Sequence, residues 1–98
     1  MTTTGGTQLT LGDVPVVPAR CRLQWEAAQQ GYVILYPEGM VKLSASAAEI
    51  VKRVDGRASI ADILDSLAQA FPGADLRDDV LEFLNAGYER GWIEAQGR

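Results

Sequence analysis

Few side chains in this sequence are suited to chemistry: one cysteine, Cys21, and an acidic group at Asp78, Asp79 and Glu82. A thiolate at Cys21 would be a nucleophile. Alternation, however, puts it on an apolar strand face with Leu23 and Trp25, where a thiol stays protonated and inert. The three carboxylates could face a hard cation, yet such an ion takes about six or more oxygens from a shaped loop. A solvated first helical turn, whose dipole favours negative charge, suits them better. Histidine is absent, and so are a cysteine pair, a phosphate-cradling glycine loop after a strand, and the His-Glu-x-x-His and Gly-x-Ser-x-Gly patterns. The expectation is a binding protein rather than an enzyme, with no metal and no cofactor.

What remains is the chemistry of the backbone. Tyr32 to Tyr36 is a β-branched and aromatic run, Pro37-Glu38-Gly39 is a turn, and Met40-Val41-Lys42-Leu43 is a shorter second run, together a hairpin. Pro37 presets φ for the second turn position and Gly39 can adopt a left-handed conformation, which predicts a type I turn closed through a glycine bulge. Immediately afterwards Ser46-Ala47-Ala48-Glu49 reads as a capping box. It starts a helix where a fourth strand would be needed to cover Met40 to Leu43. The unpaired N–H and C=O groups of that edge are then a template for an added peptide strand, which makes Met40, Val41, Lys42 and Leu43 candidate peptide-binding residues. A second wall is expected from the third helix, where Leu81 widens the apolar stripe and Asn85 lies one turn further along the same flank. The plainer alternatives are an edge merely blunted by Lys42 and a Leu81 that belongs to the core.

The elements that must position this edge follow from the pattern of the whole chain. With 98 residues, 47% of them hydrophobic, the chain suits one domain. Residues 1–19 are Thr-, Gly- and Pro-bearing with no period of 2 or 3.6 and are expected to be a flexible tail ahead of a domain at 20–98. From Arg20 to Ala27 strict alternation predicts a half-buried strand, and Gln29-Gln30-Gly31 turns it into the hairpin. Three helices follow. The first is expected from about Ala47 to Val54 and stopped by Asp55-Gly56. The second is capped by Ser59 with Asp62 at N3 and carries Ile60, Ile63, Leu64, Leu67 and Phe71. The third is capped by Asp75 with Asp78, carries Leu76, Val80, Phe83, Leu84 and Tyr88, and is stopped by Gly91. Trp92 and Ile93 form an extended apolar end. The fold class is α+β: a three-stranded antiparallel meander followed by three helices, close to a winged helix-turn-helix.

That likeness raises a DNA-binding alternative, and charge argues against it. The net charge is −4, and the helix that would enter the major groove holds Asp75, Asp78, Asp79, Glu82 and Glu89 against Arg77 and Arg90, so it repels phosphate. A plain oligomerisation module using the same edge is another alternative. A lone cysteine excludes an internal disulfide. No signal peptide is visible at the start, and no run approaches the ~20 apolar residues of a membrane span, so the expected location is cytoplasmic.

Tyr36-Pro37-Glu38-Gly39, Leu43 with Ser44 to Ala48, Asp55-Gly56, Ile60 to Leu67, and Asp79-Val80 through Phe83-Leu84 to Arg90-Gly91-Trp92 resemble the PqqD family of pyrroloquinoline quinone (PQQ) biosynthesis, over about Val16 to Ile93. The resemblance implies a RiPP recognition element, a peptide chaperone that holds the precursor peptide PqqA and presents it to the radical SAM enzyme PqqE. It implies that the precursor adds as a strand beside the third strand and packs on the third helix, which carries over to Met40–Leu43 and to the Leu81 and Asn85 flank. One departure is Gly87, at a helical position where an aliphatic residue is expected and where glycine costs about 1 kcal/mol relative to alanine. An open edge is also a hazard in the absence of peptide. A homodimer formed at high concentration by strand exchange, hinged at Tyr36 to Gly39, is expected to compete with peptide for it.

Overall fold

The computed structural model describes residues 8–97. In chain order the elements are β1 (Pro15–Val16), β2 (Arg22–Glu26), β3 (Gly31–Tyr36), β4 (Gly39–Lys42), α1 (Ala45–Val51), α2 (Ile60–Ala70), α3 (Arg77–Arg90) and β5 (Glu94–Ala95). Strands β2, β3 and β4 form the expected antiparallel meander, with β3 in the middle. The three helices cover the face that carries Leu23, Ile34 and Val41, and the core is built from Ile34, Ile60, Ile63, Leu67, Val80, Leu84 and Ile93. Burying each of these aliphatic side chains contributes about 1.5–3 kcal/mol.

Helix α2 starts as its sequence dictates. The Ser59 hydroxyl accepts the Asp62 N–H at 3.1 Å, and the Asp62 carboxylate accepts the Ser59 N–H at 3.1 Å. The other two helices begin differently from expectation. For α1 the N-cap is Ser44, not Ser46, and its Oγ accepts the Ala47 N–H at 3.1 Å. This earlier start buries both Ala47 and Ala48. Helix α3 follows Leu76 with no side-chain cap, and Asp78 and Asp79 lie inside its first turn, where they still complement the dipole. The hairpin also closes more directly than expected. Tyr36 pairs with Gly39 across Pro37-Glu38, and Gly39 has φ 157°, a positive value that L side chains rarely adopt but far from the αL value of about +57° that a glycine bulge uses.

The stretch expected to be a tail is folded from residue 9 onward, while residues 1–7 lie outside the described part. Leu9 is 4% exposed and joins the core. The carbonyls of Leu11 and Asp13 accept the Ala61 and Ile60 N–H groups at the start of α2, which are donors a helix N-terminus leaves without partners. Pro15 and Val16 pair antiparallel with Ala95 and Glu94. The apolar end at Trp92 and Ile93 is therefore not a loose tag: both residues are buried and continue into β5.

Gly87 has a steric reason. A Cβ there would stand 2.6 Å from the Trp92 ring and 2.7 Å from Ile93 Cγ1, so the helix gives up propensity to let these two side chains pack against its backbone. The Gly87 carbonyl accepts the N–H groups of Gly91, Trp92 and Ile93. Gly91, at φ 91°, supplies the left-handed C-cap that folds the chain back.

Candidate functional site: the β4 edge and the α3 flanks

A single hydrogen bond sets which backbone groups of β4 are free. The Leu43 N–H donates to Tyr32 O at 3.0 Å, and the register pairs Val33 with Lys42, Ile34 with Val41 and Leu35 with Met40. In an antiparallel ladder the bonded pairs alternate. Gly39, Val41 and Leu43 therefore point their N–H and C=O groups at β3, while Met40 and Lys42 point theirs away from it. No strand among the described residues lies beyond β4, and the Ser44 cap turns the chain into α1 before one could form. The side chains alternate too: Val41 and Leu43 pack on the core, whereas Lys42 is exposed and Met40 is 43% exposed. The four residues predicted at this edge thus divide in two. Met40 and Lys42 turn their backbone groups away from β3, and Val41 and Leu43 hold the strand down.

On α3 the two predicted wall residues have partners within the chain. Leu81 is half-buried against the core. The Asn85 side chain is spent within the chain: its Nδ2 donates to Leu81 O at 2.9 Å, and its Oδ1 accepts the Leu9 N–H at 2.7 Å. This flank is occupied by the N-terminal segment. The opposite flank is open. At about 100° per residue, Phe83 lies roughly 200° around the helix from Leu81. With Leu76, Asp79 and Val80 it lines a cavity of about 600 Å³ that is also lined by Ser44 to Ala47 and by Leu67 and Phe71. The cavity is mostly apolar, and Ser44 follows directly on the β4 edge. Phe83, read from the sequence as part of the core stripe, does pack against the core and on Trp92. It also lines this cavity together with Phe71, a lining the sequence reading did not anticipate.

Other groups singled out in the sequence are structural. Cys21 is buried, and desolvation, opposed by Arg20 and reinforced by Glu94 and Glu38, pushes its thiol pKa up, toward the inert form. The Asp55 carboxylate accepts the N–H groups of Ala58 and Arg57, both at 2.9 Å, which lowers its pKa and shapes the turn between α1 and α2. Gly56, at φ 80°, completes that turn. No three potential metal ligands come together among the described residues, and no described helix is long and apolar enough to cross a membrane.

Comparison with known proteins decides the family. The sequence model for coenzyme PQQ synthesis protein D (PqqD) matches residues 31–93. The chain belongs to the PqqD family. It is 52% identical over 88 residues to the PqqA binding protein of Azotobacter vinelandii, covering 89% of this chain and 96% of that one. The PqqA binding protein of Acinetobacter baylyi is 48% identical over 84 residues, 85% of each chain. Among solved structures, the fold matches the solution structure of the PqqD part of Methylobacterium extorquens PqqCD, a functional stand-alone RiPP recognition element, with TM-score 0.77, 30% identity and coverage of 90% and 96%. It also matches the crystal structure of PqqD from Xanthomonas campestris, with TM-score 0.54, 32% identity and coverage of 81% and 90%. The two curated relatives carry binding names, not catalytic ones, in keeping with the expectation of a binding protein. Most of the residues on which the sequence resemblance rested are architectural in this chain: Pro37 to Gly39 turn the hairpin, Asp55-Gly56 turns α1 into α2, and Gly91-Trp92 ends α3.

Proposed function

We propose that this PqqD-family chain is the peptide chaperone of PQQ biosynthesis in its cell, acting in the cytoplasm: it binds a PqqA precursor by strand addition to β4 and presents it to the radical SAM enzyme PqqE. The observation that carries the binding step is the open edge, where the backbone groups of Met40 and Lys42 point away from the sheet beside an apolar cavity. Relatives named for binding PqqA support the choice of ligand. In this reading the peptide backbone pairs with Met40 and Lys42, and one apolar peptide side chain enters the cavity beside Phe83. Main-chain bonds then supply affinity and the pocket supplies selectivity. The Leu81 and Asn85 flank joins the peptide site only if Leu9 leaves it.

Calorimetric titration with a PqqA-type precursor, followed by the same titration with PqqE present, tests both steps. Saturable one-to-one binding with the ternary complex retained is the expected result. A precursor that binds PqqE but shows no heat with this chain contradicts the proposal.

A further inference from the structure

The meander has a second open edge. Among the described residues nothing pairs with the outer side of β2. The alternation that sends Val41 to β3 also sends Gly31, Val33 and Leu35 toward β2, so Glu26, Gln24 and Arg22 make the bonded pairs there. The N–H and C=O groups of Leu23 and Trp25 consequently face outward. On the same strand Trp25 is 54% exposed, the most exposed large apolar side chain described, and its ring is held edge-to-face on Tyr32 at 5.2 Å.

We propose that β2 pairs antiparallel with β2 of a second copy of this chain, in the register that places Gln24 on the two-fold axis. Three features of the strand meet in that register alone. Leu23 faces Trp25 of the second copy as a hydrogen-bonded pair, which uses the outward backbone groups of both. Trp25 gains an apolar neighbour twice. Arg22 faces Glu26 of the second copy in the two outer non-bonded pairs, where side chains approach most closely, so unlike charges meet at both ends. Moving the two-fold axis by one residue, a two-residue slip of the strand, sets Arg22 or Glu26 opposite Gln24 and loses both ion pairs. The product is a six-stranded sheet with a free β4 edge at each end, so association and peptide binding use different strands. The contact is short, and association is therefore weak and concentration-dependent.

Charge reversal tests the register. Sedimentation at rising concentration is run on the native chain, on Arg22→Glu, on Glu26→Arg, on the double variant, and on an equimolar mixture of the two single variants, with circular dichroism confirming that each is folded. Each single variant sets like charges opposite one another at both ends and should weaken association by roughly tenfold or more. The double variant should dimerise like the native chain. The mixture should form the heterodimer, because the Arg22→Glu chain is acidic at both positions and the Glu26→Arg chain basic at both, so unlike charges meet again at each end. A native chain that stays monomeric at millimolar concentration overturns the proposal. So does a dimer indifferent to these charges, as strand exchange through the Pro37-Glu38 hinge would give. Peptide titration of the same variants reports on β4 separately, so either idea can fail without the other.

Discussion

Proline substitution at neighbouring positions of β4 separates the edge from the ladder. Lys42 points its N–H away from β3, so Lys42→Pro removes no internal hydrogen bond. It also favours an extended Val41, the conformation that residue already has in the strand. Val41 points its N–H at Ile34, which is fully buried, so Val41→Pro leaves a buried carbonyl without its donor. That costs about 1–3 kcal/mol, or a fall in melting temperature of about 5–20 °C for a domain of this size. On the binding side, Lys42→Pro deletes one donor to the added strand and sets a ring in its path. The expected loss is about 1–2 kcal/mol, or about 5–30-fold in affinity. Thermal melts by circular dichroism and calorimetry with the precursor peptide give the two readouts. Lys42→Pro should melt near the native temperature and bind weakly, whereas Val41→Pro should melt early. A folded Lys42→Pro with native affinity refutes strand addition, and a Lys42→Pro that melts as early as Val41→Pro refutes the assignment of which groups face outward.

On α3, Phe83→Ala should cost about 1–3 kcal/mol of peptide affinity as an interface anchor, while Leu81→Ala should lower the melting temperature and leave calorimetric affinity within about twofold. The reverse pattern would return the peptide to the Leu81 flank. Gly87→Ala gains about 1 kcal/mol of helix propensity but drives a methyl into Trp92 and Ile93, an overpacking cost of about 1–3 kcal/mol. Denaturant titration should show no stabilisation, and a clear rise in midpoint would contradict the contact. Because the Asp55 pKa is lowered in the folded chain, its contribution is present above the ordinary carboxylate value of 3.8 and is lost as pH falls through the lower folded value. Asp55→Asn should therefore flatten the acid limb of the stability curve below about pH 4, and identical acid limbs would contradict this.

The meander, α2 with its capping box and the open edge were legible because each rests on local rules: alternation over Arg20 to Ala27, Ser59 three residues before Asp62, and a Pro-Gly turn between two apolar runs. The parts that were missed depend on distant partners. Leu9 and Leu11 sit among Thr, Gly and Pro, with no helical or strand period long enough to register. Their burial is decided by α2, whose first N–H groups need acceptors, and by Asn85, which holds the Leu9 N–H. Asn85 read as a groove residue because a polar side chain in mid-helix looked available, and only the tertiary structure shows it occupied. Gly87 carried a signal in the opposite sense: a glycine inside a helix pattern marks a close approach, and Trp92 with Ile93 just beyond the helix end were the large side chains available to make it. Ser46 read as the cap because Glu49 stands three residues after it, whereas in the structure Ser44 caps α1 and Ala47 and Ala48 are buried.

Amide hydrogen exchange along β4, with and without the precursor peptide, tests strand addition most directly. The account predicts that Val41 and Leu43 are protected in the free chain, that Met40 and Lys42 exchange rapidly there, and that peptide protects these two without changing the other two. Met40 and Lys42 amides that still exchange rapidly in a saturated complex would contradict it.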